Sequence, residues 1–135
     1  MSRPLVTATL AMLASMALLD FLWLSTVTKL LYRPKLGALL NEQLVWPPAI
    51  LFYLLYSFGL ALFVLRPALA DGAAPLTAAL YGAAFGLVAY GAYDLTNHAT
   101  IRDWPLSITI VDMAWGAFVT AVATGIGVWA GQRWG

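Results

Sequence analysis

The sequence predicts an all-α integral membrane protein, a four-helix antiparallel bundle that forms a single transmembrane domain over residues 1–135. Hydrophobic residues make up 62% of the 135 residues, charged residues make up only 10%, and the mean hydropathy is +0.84. An average soluble domain is about one-quarter charged, so this composition excludes a soluble monomer. Four crossings of about 20 residues each leave about 55 residues for ends and loops, which is too few for a second domain.

Stretches without charge locate the membrane crossings, because an ionised side chain at mid-bilayer costs at least about 2.5–3.5 kcal/mol. Three such stretches are bounded by Glu42 and Arg66, by Asp71 and Asp94, and by Asp112 and Arg133. A fourth crossing, the first along the chain, has Asp20 inside it. The helices are therefore predicted near residues 4–28, 46–66, 74–97 and 107–131.

We expect the first predicted helix to be a retained membrane span and not a secretory signal. Its apolar stretch runs from Leu5 to Leu31 with only two charged residues inside it, whereas the apolar region of a signal has about 7–15 residues. A polar loop is expected from Tyr32 to Gly37, where proline and glycine interrupt the pattern. Residues 36–44 could instead form a short helix in the membrane interface.

The other three helices follow from the connectors between them. Pro47 and Pro48 suit the first turn of the second helix, where a missing N–H costs little. The turn from Arg66 to Gly72 and the connector from Ala99 to Pro105 are both short. Short connectors make neighbouring helices antiparallel, so both termini are expected on the same side of the membrane.

Basic residues give a small preference for orientation. Four Lys and Arg residues are predicted beside the first and third connectors, and three are predicted on the side of the termini. The side of a membrane that is richer in Lys and Arg is usually cytoplasmic. This favours cytoplasmic connectors and periplasmic termini.

Small residues in the third and fourth helices indicate close helix packing. Gly82 and Gly86 form the Gly-x-x-x-Gly spacing that lets membrane helices approach each other closely. The spacing alone leaves open whether the partner is another helix of the bundle or a second copy of the chain.

Composition excludes several classes of function. The net charge is +1 with no run of basic residues, so nucleic acid is not expected as a partner. The absence of cysteine excludes disulfides, thiolate nucleophiles and iron–sulfur clusters. The single histidine, His98, excludes a multi-histidine metal centre and is interpreted as a surface or helix-end residue. The cofactor stays unknown, and no residue is assigned to a metal.

Three aspartates fall inside the predicted helices or within a turn of their ends: Asp20, Asp94 and Asp112. An ionisable residue in hydrocarbon usually faces the protein interior and is a candidate functional residue. Because the fourth helix runs opposite to the first and third, all three aspartates fall in the half of the bilayer beside the first and third connectors. We take them as candidate catalytic residues, with a purely structural hydrogen-bond network as the alternative.

Aromatic and amide side chains recur near these aspartates at spacings of three or four residues, which place each pair on one helix face. Tyrosine and tryptophan can donate hydrogen bonds to carboxylates while their rings form apolar walls. The candidate substrate-binding residues are Trp23, Tyr53, Tyr56, Tyr90, Tyr93, Asn97 and Trp115. The alternative is that these rings only pack or anchor the helices. Interface anchoring is expected of Trp46, Trp104, Trp129 and Trp134.

Six segments spread over nearly the whole chain carry a resemblance to a known family: Asp20 to Leu24, Tyr32 with Leu36-Gly37, Pro47 to Tyr56, Tyr90 to Asn97, Trp104-Pro105, and Asp112 to Gly116. With these segments the sequence resembles the small bacterial membrane proteins grouped as domain of unknown function 2177. The resemblance implies the four-helix fold and a bacterial inner membrane. It supplies no reaction.

Three functions fit these residues. The first is an enzyme or binder for a lipid-like molecule, in which the aspartates act as acid, base or ligands of a divalent cation held together with Asn97. The second is a small proton-coupled transporter, although the aspartates lie away from the middle of the bilayer, where transporters bind substrate. The third is a non-catalytic accessory subunit. The expected partners are membrane lipid and either a second copy or a larger membrane complex.

Overall fold

The computed structural model describes residues 2–40 and 45–135. Four helices, numbered α1 to α4, are each long and apolar enough to cross a membrane: Arg3–Leu39, Trp46–Ala70, Pro75–Thr100 and Leu106–Trp134. No strand occurs in the two described ranges. The predicted all-α four-helix fold is confirmed.

The end of α1 differs from the prediction, because the helix continues where a loop was expected. A π-turn over Thr28–Tyr32 leads into an α-helical turn over Arg33–Leu36 and a 3₁₀ turn over Gly37–Leu39. Proline lacks an N–H and its ring crowds the carbonyl four residues earlier, but the wider π-turn gives that carbonyl more room. Pro34 therefore lies within the helix. The alternative prediction is a short interfacial helix over residues 36–44, and residues 41–44 lie outside the described ranges.

The same arrangement extends α2 beyond its predicted end. A π-turn over Ala61–Leu65 precedes Arg66 and Pro67, and the Arg66 N–H bonds to the Ala61 carbonyl, five residues earlier. The helix then continues to Ala70. Both Arg-Pro pairs that looked like helix ends in the sequence are therefore passed by a π-turn.

Helix α4 is the centre of the bundle, since it packs along both α3 and α1. Its inward face includes Val119, Thr120, Ala123 and Thr124, which are fully buried. Helix α1 meets α2 mainly at residues 61–70 of α2. The first half of α2 thus stands apart from α1, and this separation leaves an opening between the two helices.

Glycines set the distance between α3 and α4. A Cβ on Gly82 would lie 2.9 Å from the Thr120 carbonyl oxygen, and one on Gly86 would collide with the Gly116 carbonyl. The Gly-x-x-x-Gly face is therefore used within the bundle. At the other side of α4, a Cβ on Gly127 would lie 2.8 Å from the Ala8 carbonyl oxygen in α1.

The two ends of the chain lie together. A Cβ on Gly135 would collide with Pro4, so the start of α1 and the end of α4 are neighbours at one end of the bundle. At the opposite end, Leu36 of the α1 extension forms a small buried cluster with Trp104 and Ile108. Trp104 is only 8% exposed. It therefore holds the α1 extension against α4 and is not the interface anchor that the sequence indicated.

The glycine contacts generate a stability prediction. Gly86→Ala should lower the thermal unfolding midpoint of the detergent-solubilised protein, because the new methyl group meets backbone that cannot move aside, and such overpacking typically costs about 1–3 kcal/mol. Gly37→Ala is the matched control, since a Cβ there would meet nothing within 4 Å. Equal midpoints for the two variants would contradict the close approach of α3 and α4.

Candidate functional site

Asp20 joins three helices through its carboxylate. From its position in α1 it accepts a hydrogen bond from the Tyr53 hydroxyl of α2 at 3.0 Å and another from the Trp115 Nε1–H of α4 at 3.2 Å. The side chain is half-buried. The Tyr53 bond connects α2 to α1 in the region where the two helices stand apart, and the Trp115 bond connects α1 to α4.

Asp94 and Asp112 form a carboxyl pair between α3 and α4. Asp94 is 0% exposed and neither of its carboxylate oxygens receives a donor from the described residues. Its carboxyl group lies within hydrogen-bonding reach of that of Asp112. Asp112 in turn accepts a bond from the Tyr32 hydroxyl at 2.5 Å and is close enough to Asp20 to interact electrostatically.

Two carboxyl groups within reach of each other, one of them fully buried, repel strongly when both are ionised, because their charges are weakly screened. At least one of them is therefore protonated unless a cation lies between them. Asp112 is half-buried, so it connects the fully buried Asp94 to the more accessible part of the site.

Aromatic rings enclose the carboxylates. Trp23 and Trp115 are stacked with ring centroids 4.1 Å apart and an interplanar angle of 12°. The ring of Tyr32 meets Trp23 edge-on, with centroids 6.3 Å apart. Tyr90 lies over Gly116, where any Cβ would collide with its ring. The rings are thus packed against one another and hold the donors of the site in place.

Asp20, Asp112 and several of these rings line a cavity of about 690 Å³ between α1, α2 and the inner helices. We call it the lateral cavity, and its lining residues are Ala17, Asp20, Phe21, Trp23, Leu24, Trp46, Ala49, Ile50, Phe52, Tyr53, Leu54, Tyr90, Asp112 and Trp115. The outer walls, from α1 and α2, are mostly exposed apolar side chains. Of the lining residues in the described ranges, only the two aspartates are charged.

The structure brings together most of the candidate site residues, but not all of them. Asp20, Trp23, Tyr53, Tyr90, Asp112 and Trp115 line the lateral cavity, and Asp94 contacts Asp112. Three others do not line it: Tyr56, Tyr93 and Asn97. Substrate binding by these three residues stays a prediction.

Each of the three residues outside the cavity has a separate environment. Tyr56 is buried, with its hydroxyl 2.7 Å from the Thr120 hydroxyl. Tyr93 is 57% exposed and meets the Trp104 ring edge-on. Asn97 is half-buried, one turn after Tyr93. Tyr56 therefore faces the core of the bundle, whereas Tyr93 is largely exposed beside Trp104.

His98 lies apart from the lateral cavity, at the end of α3. Its Nδ1 is 3.1 Å from the Thr109 hydroxyl, which also accepts the Trp104 Nε1–H at 3.0 Å. Among residues 2–40 and 45–135, no three His, Asp or Glu side chains lie close enough to hold a metal ion. This geometry does not support the alternative in which all three aspartates bind one divalent cation.

Tyr32 is the site residue that the sequence reasoning missed, because it was assigned to a loop. In an uninterrupted α-helix, Tyr32 would be rotated by about 120° from Asp20. A π-turn holds about one extra residue, which reduces this angle to about 20°. The signal that was available is the Arg33-Pro34 pair, which repeats as Arg66-Pro67 and follows a π-turn in both places.

Comparison with protein families agrees with this fold. Residues 5–129 match the family model described as "Predicted membrane protein (DUF2177)". The chain belongs to this family. It is a membrane protein with four candidate membrane spans. Neither the curated proteins nor the solved structures gave a match.

The carboxyl pair generates a spectroscopic prediction. The purified protein at neutral pH should show the infrared C=O stretch of a protonated carboxylic acid, shifted in D₂O. The Asp94→Asn variant should fold, because the new amide can donate to Asp112 directly. Its spectrum should lack one protonated carboxylic acid. Asp71→Asn, in the exposed turn between α2 and α3, is the control and should leave the band unchanged. A band that Asp94→Asn does not alter would contradict the shared proton.

Proposed function

We propose that this protein takes an amphiphilic, lipid-like molecule from the bilayer into the lateral cavity and binds or modifies it there. One observation carries the proposal: exposed apolar walls and half-buried carboxylates belong to the same cavity. A volume of about 690 Å³ falls within the range of about 300–1,000 Å³ that is usual for small-molecule sites.

The form of the cavity explains how such a molecule would enter. The outer walls come from α1 and α2, the two helices that separate in this region. Exposed side chains there include Phe21, Leu24, Ile50 and Leu54. An acyl chain would lie against these side chains while its head group reached Asp20 and Asp112. The entry path therefore runs sideways from the lipid and not through water.

The second candidate is a non-catalytic subunit of a larger membrane complex. The bonds of Asp20 to Tyr53 and Trp115 favour it, since a carboxylate that joins three helices also serves a purely structural role. The third candidate is a small proton-coupled transporter, for which the buried Asp94–Asp112 pair would be the proton site. For all three candidates we propose that the protein lies in a bacterial inner membrane, with the first and third connectors in the cytoplasm and the termini in the periplasm.

Filling the cavity should weaken binding severalfold without loss of fold. In nanodiscs that contain a phospholipid with a photoreactive acyl chain, the wild type should show saturable labelling of residues 17–24 and 46–54. Ala49→Trp places a large ring in the cavity lining and should reduce this labelling severalfold. Ala84→Trp is the matched control, since Ala84 is exposed on α3 and does not line the cavity.

Two results would contradict the proposal. One is labelling of residues 17–24 and 46–54 that is no more saturable than labelling of exposed α3 residues such as Leu80 and Val88. The other is equal labelling in Ala49→Trp and Ala84→Trp.

A comparison in cells separates function from scaffold. Asp94→Asn and Asp112→Asn keep the size and most of the hydrogen bonding of aspartate while they remove its charge and titratable proton. Both variants should accumulate in the membrane, yet they should fail to restore the lipid profile of a deletion strain to that of the wild type. Full restoration by both variants would favour the accessory subunit instead.

A further inference from the structure

Among the residues that the structure describes, the lining of the lateral cavity is acidic and includes no basic residue. Asp20 and Asp112 are the charged side chains of this described lining. Their hydrogen-bond donors are the neutral groups of Tyr53, Trp115 and Tyr32. Neutral donors alone compensate poorly for negative charge in a site that opens toward lipid. Removing a charge from water without a counter-charge costs free energy.

A second observation also indicates that this region favours positive charge. Asp94, which contacts Asp112, is 0% exposed and has no donor for either carboxylate oxygen among the described residues. A proton shared between Asp94 and Asp112 leaves the pair with one negative charge. Asp20 lies within electrostatic reach of it. The inner end of the cavity therefore favours a cation and disfavours an anionic head group such as a phosphate.

The aromatic residues strengthen this preference. The lining includes the rings of Trp23, Trp46, Tyr53, Tyr90 and Trp115. The faces of aromatic rings attract cations, and this attraction grows when water is excluded. Carboxylates combined with several rings thus provide both hydrogen-bond acceptors and cation–π surfaces for an ammonium group, whereas a neutral alcohol would use only the acceptors.

We propose that the ligand of the lateral cavity is an amphiphile with an ammonium head group, which donates to Asp20 and Asp112 while its alkyl chain lies between α1 and α2. The proposal rests on the proposed function, because it names the class of molecule that the cavity binds. The chemistry is shared by amine-bearing lipids and by other alkyl amines.

Three photoreactive probes with the same alkyl chain and different head groups test this proposal: an amine, an alcohol and a carboxylate. Each is titrated into full-length protein in phosphatidylcholine nanodiscs, and saturable labelling of residues 17–24 and 46–54 is measured. The amine should saturate at an about tenfold lower concentration than the alcohol, since a hydrogen bond to a charged donor is stronger than a neutral one. The carboxylate should show no saturable labelling.

Variants then locate the preference. Asp20→Asn should bring the half-saturation of the amine close to that of the alcohol, and Asp71→Asn, outside the cavity, should leave the preference unchanged. If the alcohol and amine saturate equally in the wild type, the ammonium proposal is wrong and the lipid-binding proposal stands. If no probe gives saturable labelling, the lipid-binding proposal itself is wrong. If the amine probe saturates but a phosphatidylethanolamine probe does not label these residues, the ligand is a simple alkyl amine and not that phospholipid.

Discussion

The close approach of α3 and α4 is the constraint on which the rest of the molecule depends. Between membrane helices there is little hydrophobic driving force, so tight backbone packing at small residues has a larger share in holding them together. Gly82 and Gly86 supply this packing from α3, against Thr120, Thr124 and Gly116 of α4. Without it the two helices would stand a side chain further apart.

The site is the continuation of this contact along both helices. In steps of four residues, Gly82, Gly86, Tyr90 and Asp94 follow one another on α3, while α4 presents Thr124, Thr120, Gly116 and Asp112 in the opposite direction. Antiparallel helices in this register bring Tyr90 onto Gly116 and Asp94 onto Asp112. The carboxyl pair is thus placed by the same packing that stabilises the bundle, whereas α2 joins the site through the weaker Tyr53–Asp20 bond.

The sequence was sufficient for the fold, because the cost of charge in hydrocarbon leaves few ways to arrange four apolar stretches. It also identified the aspartates, since ionisable residues stand out in such stretches. It could not separate Tyr53 from Tyr56, which are three residues apart on α2. The first lines the cavity and the second bonds Thr120, and this difference depends on how α2 leans away from α1. Trp104 was missed for a related reason: its burial depends on the α1 extension that packs against it.

The π-turn in α1 has a consequence for how such a chain tolerates insertions and deletions. Removal of one residue from Thr28–Leu31 would change the hydropathy of α1 very little, so membrane insertion would proceed as before. The turn would then close as a regular α-helical turn, and Tyr32 would keep its angle of about 20° to Asp20. The ring of Pro34, however, would crowd the carbonyl four residues earlier, which a regular α-helix does not accommodate. One further residue in this stretch would instead rotate Tyr32 by about 100°, away from Asp112. A homologous sequence with an equal hydropathy profile and one residue more here would therefore share the topology without sharing the site.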